Sequence, residues 1–382
     1  MCLQLIVGRD VRKVPFFDYP SVYGRFAGEF QAALEDVGRR GAFIQQSDLE
    51  DFEVAVAEYC GVEHCIAVTN ATDGLQLAFM AGGLPPGAEV IISTHTMVAT
   101  AASIHFAGGV PVPVDVGADH LIDSDAVRAA ITSETWAICP TQLNGRTADM
   151  DSLTSICDEF GLQLFEDSAQ GLGSKFKGRA AGSWGRGNCL SFYPAKILGT
   201  LGDGGAVLTQ DDDVAATLRL MRDHGRIDRG DTALWGFNAR MDNLAAAFLM
   251  VQFRHFDETV ARRREIAAVY CDRLGEIPGL VMPPAPGSGE DHFDTFQNFE
   301  IESDFLNDLE AGLRDRGVGT LRQWGGWPIH KFAKLGFHQD LPKADALFAR
   351  MLMLPMNMAL TDEDVDYVCA SILEISEMME SR

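Results

Sequence analysis

The chain has 382 residues, of which 47% are hydrophobic and 23% are charged, values close to those of ordinary globular proteins. Enough apolar side chains are therefore present to form a large core, and a disordered chain is excluded. Thirty-one Lys and Arg against 55 Asp and Glu give a formal net charge of −24, which excludes nucleic acid and membrane surfaces as the main partner.

The N-terminal residues and the cysteines indicate where the protein works. Residues 1–13 form a short apolar stretch interrupted by charges, without the layout of a signal peptide. No apolar run approaches the ~20 residues that a membrane-spanning helix needs. The eight cysteines form no CxxC pair, and several lie in apolar segments where a reduced thiol acts as a small hydrophobic side chain. We therefore expect a soluble, cytoplasmic protein.

Residues 64–210 alternate between short apolar runs typical of buried strands and amphipathic stretches typical of helices. The strand-like runs are 65–70, 90–93, 110–116, 136–141, 162–167, 189–193 and 206–210. The helix-like stretches are 72–82, 96–108, 149–160 and 214–224. This alternation predicts an α/β fold with a mostly parallel sheet sandwiched by helices, in which ligands bind at the carboxyl ends of the strands.

The rest of the chain predicts a second, smaller unit. A helical pattern runs from about Met241 to Leu274, and the Pro- and Gly-rich segment 278–289 that follows is the best candidate for a linker. Further helical patterns follow, the last of them starting at Thr361, which precedes three acidic residues. We expect a large domain over residues 1–250, which includes an N-terminal helical arm, and a small α+β domain over 251–382.

The most informative segment runs from Ser191 to Gly205 and reads SFYPAKILGTLGDGG. It places Lys196 among apolar and aromatic residues, although lysine is seldom fully buried. Burial lowers the pKa of a lysine and leaves a nucleophilic amine that can form a Schiff base. Taken alone, the segment is equally consistent with a lysine that extends along the surface to solvent.

Two further segments add to this signal. Asp167 ends a strand-like run 29 residues before Lys196, where it can cap a loop or pair with a ring nitrogen. The turn from Thr69 to Thr72 connects a strand directly to a helix, and such a turn binds anions through free backbone N–H groups. Together with the hydroxyl of Ser191, five residues before Lys196, they form one constellation of anion site, acid and amine.

With these segments the chain resembles the DegT/DnrJ/EryC1/StrS aminotransferases, sugar aminotransferases of fold type I that depend on pyridoxal 5'-phosphate (PLP). The matching segments are 70–75, 90–101, 166–170, 191–205, 223–225 and 236–242. The resemblance extends from about Pro15 to the C-terminus and implies that the mostly parallel sheet has seven strands.

The resemblance also implies roles for individual residues. Lys196 would bind PLP as a Schiff base and move the proton during catalysis, and Asp167 would bind the ring nitrogen. The other implied cofactor contacts are Ala71, Thr72 and Ser191 at the phosphate, Ala169 on a ring face, Gln170 at the ring hydroxyl, and Met97 where the family usually has an aromatic residue. His95 is the alternative to Met97 for packing on the ring.

Two more residues are implied, each on a weaker signal. Asn238 would reach the phosphate in the other subunit, which implies a homodimer with shared active sites. His330 matches a family position near the bound sugar, although a lone histidine is more often structural. The other histidines lack the spacing of metal ligands, so no metal is expected.

The predicted function is transfer of an amino group, from L-glutamate by family habit, to a nucleotide-linked keto sugar in amino-sugar biosynthesis. One alternative is a cyclitol or another keto substrate, and a second is a non-catalytic, regulatory protein on the same fold. A third is a serine hydrolase, because residues 181–185 (AGSWG) differ from the G-x-S-x-G motif only at the first glycine. The intact Lys196, Asp167 and Ser191 favour the aminotransferase. The segments 228–234 and 323–331 are candidates for determining the substrate.

Overall fold

The computed structural model describes residues 12–228 and 230–381. Cys2 and residues 1–11 of the N-terminal stretch therefore lie outside the described residues, as does Arg229 of the segment 228–234. The α-helices are α1 (Tyr19–Arg40), α2 (Ser47–Cys60), α3 (Ala71–Ala81), α4 (Val98–Phe106), α5 (Ser124–Ala130), α6 (Met150–Phe160), α7 (Asp212–Met221), α8 (Asn243–Phe253), α9 (Phe256–Leu274), α10 (Leu306–Asp315), α11 (Pro342–Phe348) and α12 (Asp362–Glu380).

A seven-stranded sheet is formed by residues 64–209. Its strands are β1 (His64–Val68), β2 (Glu89–Ser93), β3 (Val110–Val114), β4 (Thr135–Cys139), β5 (Gln163–Leu164 with Glu166–Asp167), β6 (Asn188–Ser191) and β7 (Gly205–Thr209). Their order across the sheet is β1-β7-β6-β5-β4-β2-β3, and β7 alone runs antiparallel to its neighbours. The two parts of β5 are joined through Phe165, whose N–H donates to the carbonyl of Ile138. The predicted mostly parallel sheet is confirmed.

Helices cover both faces of this sheet, which is why its strands are apolar throughout. Ile66 and Val207 pack into the core beneath α3, α4 and α7. Their chain neighbours, Ala67 and Leu208, pack on the opposite face with α2 and α8. This alternation follows from the two-residue period of a strand. Strands β4, β5 and β6 are parallel neighbours, so their carboxyl ends lie side by side at one edge of the sheet, where the connecting loops meet.

The long helical pattern predicted over Met241–Leu274 is wrong as one helix, because the structure divides it at Arg254 and His255 into α8 and α9. The two helices differ in how much of their surface is apolar. Helix α8 is apolar nearly all round and packs between α1 and α2, whereas α9 carries one apolar face that enters a second core with Ile266 and Tyr270. The first turns of α9 still pack in the same core as α8, through Phe256 and Val260.

The second core belongs to a small antiparallel sheet of β8 (Leu280–Val281), β9 (Phe299–Ser303) and β10 (Met351–Leu354). Helices α9, α10 and α12 pack on it. Helix α12 begins after Thr361, as predicted, with a capping box in which Thr361 and Asp364 each hydrogen-bond the other's backbone N–H. The predicted linker over 278–289 is wrong in part, because it contains β8.

Residues after β8 also contact residues 94–176 in two places. The short strand His292–Phe293 pairs with Lys175–Phe176, which also forms a hairpin with Arg179–Ala180. Ile329 donates its N–H to the carbonyl of Thr94, next to β2. The remaining short elements are the hairpin Arg226–Asp228 with Asp231–Thr232 and the 3-10 turns Leu143–Gly145, Gln323–Gly326, Ile329–Lys331 and Ala333–Leu335. A domain boundary at residue 250 stays a prediction.

Candidate active site

A cavity of about 720 Å³ opens at the carboxyl edge of β4, β5 and β6. It brings together residues that are far apart in the sequence. Eight of the predicted site residues line it: Ala71, Thr72, Met97, Asp167, Ala169, Gln170, Ser191 and Lys196. Two others do not, Asn238 and His330.

Lys196 follows β6 on a tight turn that is held from both sides. Its N–H donates to the carbonyl of Tyr193 at 2.8 Å. The buried side chain of Gln297 accepts from the N–H of Ile197 at 2.6 Å and donates to the carbonyl of Ala195 at 2.9 Å. Gln297 therefore fixes the backbone on either side of Lys196. Sequence reasoning missed it, since it lies a hundred residues away on the loop before β9.

Burial lowers the pKa of Lys196 to about 8, and the negative charge of Asp167 opposes this shift only in part. A lysine with an ordinary pKa near 10.4 is almost wholly protonated at neutral pH. The Lys196 amine instead exists partly in its neutral, nucleophilic form.

This difference can be measured on the cofactor-free protein by reductive methylation with formaldehyde and cyanoborohydride, followed by peptide mass spectrometry. Labelling of Lys196 should rise with pH and reach half its maximum near pH 8, because only the neutral amine reacts. Lys177 is the control, since its ion pair with Asp151 raises its pKa. Parallel pH profiles for Lys196 and Lys177 would contradict the assignment.

Asp167 ends β5 with its carboxylate buried beside the cavity. One oxygen accepts from the hydroxyl of Thr100 at 2.6 Å and the other from the N–H of Ala169 at 3.1 Å. Burial raises its pKa, while these hydrogen bonds and the charge of Lys196 partly offset the rise. Among the described residues, no Lys, Arg or His forms an ion pair with Asp167. The carboxylate therefore suits a ligand that brings a protonated nitrogen.

A chain of threonine hydroxyls leads to this carboxylate. Thr141 donates to Thr96 at 2.7 Å, Thr96 pairs with Thr100 at 2.7 Å, and Thr100 donates to Asp167. Sequence reasoning missed all three threonines. Thr96 and Thr100 follow β2, with Thr100 in the first turn of α4, and Thr141 follows β4, so the only available signal was their position shortly after the carboxyl end of a strand.

The turn after β1 starts α3 and forms another part of the cavity wall. The N–H groups of Ala71 and Thr72 lie in the first turn of α3, where a helix offers them no carbonyl partner. The carboxylate of Asp73 is turned back onto Thr69 and Asn70, which both donate to it. A Cβ on Gly205 would come within 2.5 Å of the Asn70 carbonyl carbon, so only glycine lets β7 pass this closely behind the turn. The free N–H groups of such a turn can bind an anion.

Gln170 and Ala169 form the wall next to Asp167. The amide oxygen of Gln170 accepts from the N–H of Asn144 at 2.9 Å and from the side chain of Asn298 at 3.1 Å. These bonds orient the amide and leave its NH₂ group as the part that can donate to a ligand. The methyl side chain of Ala169 leaves room for a flat ring.

Met97 and His95, the two candidates for packing on the ring, have different surroundings. Met97 lines the cavity and is 51% exposed. His95 is fully buried, with Nε2 3.5 Å from the Glu300 carboxylate and its ring edge-on to Phe348. Of the two, Met97 alone can touch a ligand in the cavity as the structure stands.

His330 is also buried and does not line the cavity, so a contact with the substrate stays a prediction. Its Nδ1 lies 2.8 Å from the hydroxyl of Thr94 and its Nε2 lies 3.0 Å from the carboxylate of Asp345. Both ring nitrogens are thus occupied. His330 ties its own segment to the loop after β2.

The serine-hydrolase alternative does not fit the structure. The hydroxyl of Ser183 is buried and donates to the carbonyl of Ala180 at 2.7 Å. The N–H groups of Gly182, Trp184 and Gly185 all donate to the buried carboxylate of Glu166, which folds the segment around it. Across the described residues, no group of three or more His, Cys, Asp or Glu side chains could hold a metal ion.

Comparisons with known proteins agree with this geometry. The model of the DegT/DnrJ/EryC1/StrS aminotransferase family matches residues 25–373. The erythromycin biosynthesis sensory transduction protein EryC1 of Saccharopolyspora erythraea is 36% identical over 94% of this chain and 98% of its own length. The dTDP-3-amino-3,4,6-trideoxy-alpha-D-glucose transaminase of Streptomyces venezuelae is 33% identical over 97% of this chain and 98% of its own length. The crystal structure of S. venezuelae DesV with a ketimine intermediate superimposes with a TM-score of 0.91 at 34% identity, covering 96% of this chain and 99% of that one.

Proposed function

Because the chain belongs to the DegT/DnrJ/EryC1/StrS aminotransferase family, we propose that it transfers an amino group, with PLP as cofactor, from L-glutamate to a nucleotide-linked keto sugar. Family membership confirms the predicted enzyme class, cofactor and fold type I. One observation carries the proposal: a lysine of lowered pKa, a buried carboxylate and an anion-binding turn surround the same cavity.

The cavity residues fit PLP. The buried Asp167 forms no ion pair with a Lys, Arg or His of the described residues and suits the protonated ring nitrogen, which would offset the cost of burying the carboxylate. The N–H groups of Ala71 and Thr72, with the hydroxyl of Ser191, would hold the phosphate. Gln170 would donate to the ring hydroxyl, and Met97 would pack on the ring through its polarizable sulfur.

When bound, PLP supplies an electron sink that stabilises negative charge on the carbon bearing the amino group. Lys196 Nζ would take the proton from that carbon and deliver it to the cofactor. This role suits a base whose pKa lies near the working pH. Asp167 would keep the proton on the ring nitrogen. The two hydrogen bonds of the Gln297 amide to the backbone of Ala195 and Ile197 would keep Lys196 in place beside the ring.

The nucleotide-linked acceptor rests on the Streptomyces transaminase, which acts on a dTDP-linked sugar and matches nearly the whole chain. The cavity of about 720 Å³ has room for a sugar beside the cofactor. The regulatory alternative is supported by the name of the EryC1 relative, a sensory transduction protein. Against it, Lys196, Asp167 and Ser191 are all present and lie around one cavity.

An absorbance experiment tests the proposed function. The purified protein should carry bound PLP that absorbs in the visible range, lose that absorbance when L-glutamate is added, and regain it with a dTDP- or UDP-linked keto sugar. Mass spectrometry should then detect the amino sugar. A protein that binds no PLP would be regulatory, and one that regains its absorbance only with a cyclitol ketone would have a different acceptor.

The proposed homodimer rests on the surface around Asn238. Asn238 is exposed and lines a small groove with Asp73, which also lines the cavity. Next to it, Trp235 is 96% exposed and Phe237 is 39% exposed, an unusual pair of surface aromatic side chains. A second chain on this surface would bury them and bring its own Asn238 to the anion-binding turn.

Mixing two inactive variants tests the shared site. A heterodimer of Lys196→Ala and Asn238→Ala chains has one fully intact site if Asn238 serves the partner's cavity. Activity should therefore rise well above that of either variant when the two are unfolded and refolded together. If Asn238 serves its own cavity, or if the protein is a monomer, mixing restores nothing.

The predicted cytoplasmic location has one structural support. The cysteines among the described residues, Cys60, Cys65, Cys139, Cys157, Cys189, Cys271 and Cys369, are all free thiols, as is usual in a reducing compartment. Within the described residues, no helix has the length and apolar character needed to cross a bilayer.

A further inference from the structure

The segment Gln323–Gly326 forms part of the cavity wall through Gln323 and Trp324. Both of its ends are anchored. Before it, Leu321 and Met353 of β10 exchange backbone hydrogen bonds of 2.8 and 3.3 Å. After it, Ile329 donates to the carbonyl of Thr94. The segment therefore has a fixed position relative to the cofactor end of the cavity.

Two adjacent residues of this segment carry buried polar atoms without partners and also line the cavity. Gln323 is 1% exposed, and neither its amide oxygen nor its nitrogen has a hydrogen-bond partner in the described structure. The same holds for the indole nitrogen of Trp324. Buried donors and acceptors are nearly always paired, because an unpaired one disfavours folding. Two adjacent residues with this defect in one cavity wall indicate polar groups reserved for a ligand.

The backbone of the segment is strained as well. Trp324 adopts a φ of +54°, a left-handed conformation that is an outlier for a bulky side chain. Gly325 and Gly326 continue in the same region at +68° and +80°. Strain of this kind persists where the surrounding structure imposes it, and it concentrates at ligand-binding sites.

The polar groups of this segment indicate which part of the substrates it can bind. A primary amide offers two donors and an acceptor, and an indole offers one donor, a set that matches neutral hydroxyl groups. The carboxylates of L-glutamate and a diphosphate would instead call for a cation. The neighbouring cation, Arg322, is already held by Glu310 at 2.6 Å and Asn307 at 2.8 Å.

We propose that Gln323, supported by Trp324, determines acceptor specificity by hydrogen-bonding the hydroxyl groups of the sugar. This inference rests on the proposed function. The terminal torsion of a glutamine side chain is broad, so the amide can turn toward a bound sugar at little cost. Gln323 would act on the acceptor half of the reaction alone, because the donor presents no hydroxyl group.

The test uses the holoenzyme and the variant Gln323→Met, with Gln31→Met on the exposed face of α1 as the matched control. The probes are dTDP- and UDP-linked 3-amino and 4-amino sugars, run in reverse so that they remove the visible absorbance of the bound cofactor. With a sugar that reacts with the wild type, Gln323→Met should raise KM about tenfold, the effect of one lost hydrogen bond. Its reaction with L-glutamate should be unchanged, and its melting temperature equal or higher, because the substitution removes an unpaired buried amide.

Each outcome has one meaning. If L-glutamate reacts with the wild type but none of the sugars does, the nucleotide-sugar acceptor is wrong, and the inference falls with it. If a sugar reacts and Gln323→Met leaves its KM unchanged, the proposed function stands and the inference is overturned. A lower melting temperature together with equal losses toward sugar and glutamate would make Gln323 a structural residue, which also overturns the inference.

Discussion

Replacement of Lys196 by alanine is expected to reduce transamination at least about 10⁴-fold, the upper range of what a positioned proton-transfer group contributes. The variant loses both the amine that binds the cofactor and the base that moves the proton. The fold should persist, because the turn that carries residue 196 is held by backbone contacts from Tyr193 and by Gln297. Turnover with L-glutamate, measured alongside the thermal unfolding of the same preparation, checks both statements.

Lys177→Ala is the control for this prediction. Lys177 is an exposed lysine paired with Asp151 at 2.5 Å, and an ion pair of this kind contributes at most about 1 kcal/mol. Its loss should leave activity within twofold of the wild type. A Lys196→Ala enzyme that retains one percent of its turnover would refute the assignment of Lys196 as the catalytic amine.

Asp167→Asn is expected to lower kcat by about 100- to 1,000-fold, a loss typical of removing one preorganised electrostatic group from an active site. Asparagine keeps the shape of the side chain but cannot hold a proton on the ring nitrogen by charge. Steady-state kinetics on protein with cofactor bound, confirmed by absorbance, measures the loss.

The same substitution should stabilise the cofactor-free protein. The pKa of Asp167 is raised by burial, so the folded state binds this proton more tightly than the unfolded state does. Its contribution to the free energy of unfolding therefore falls as pH rises from the ordinary aspartate range, near 3.9, through the raised pKa, and stays low above it. Asparagine has no such loss, so Asp167→Asn should melt at a higher temperature than the wild type at pH 7, with a smaller difference at pH 4.

Thr100→Val separates the charge of Asp167 from its support. Valine matches the shape of threonine but cannot donate to the carboxylate, so kcat should fall about tenfold, less than in Asp167→Asn. A Thr100→Val enzyme as impaired as Asp167→Asn would assign the main effect to the hydroxyl chain. An unimpaired Asp167→Asn enzyme would remove Asp167 from the mechanism.

The strands and the turn, acid and lysine that line the cavity could be predicted from the sequence because their signals are local. Buried parallel strands must be apolar along their whole length, and the turn before α3, the acid ending β5 and the lysine after β6 each follow such a run directly. A helix boundary was missed where the helical pattern of the sequence does not change. The helical pattern continues through Arg254 and His255, and only the structure shows that the chain breaks there.

The site residues that sequence reasoning missed act through partners distant in the chain. Gln297 fixes the turn around Lys196, and Thr100 supports Asp167 from helix α4. His330 shows the opposite case, a residue placed near the sugar by resemblance whose ring the fold fully occupies with Thr94 and Asp345. Spacing along the chain carries no record of such pairings.

By itself, the sequence determined the class of sheet and, through the family resemblance, pointed to the amine, acid and turn that are proposed to carry the chemistry, because each follows directly from a local run of residues. The tertiary structure alone decided which side chains reach the cavity, why Met97 and not His95 faces it, and where buried polar groups such as the Gln323 amide are left unpaired. Hydrogen bonding and desolvation depend on which distant groups the fold brings within about 3 Å of each other, and chain order does not specify those distances.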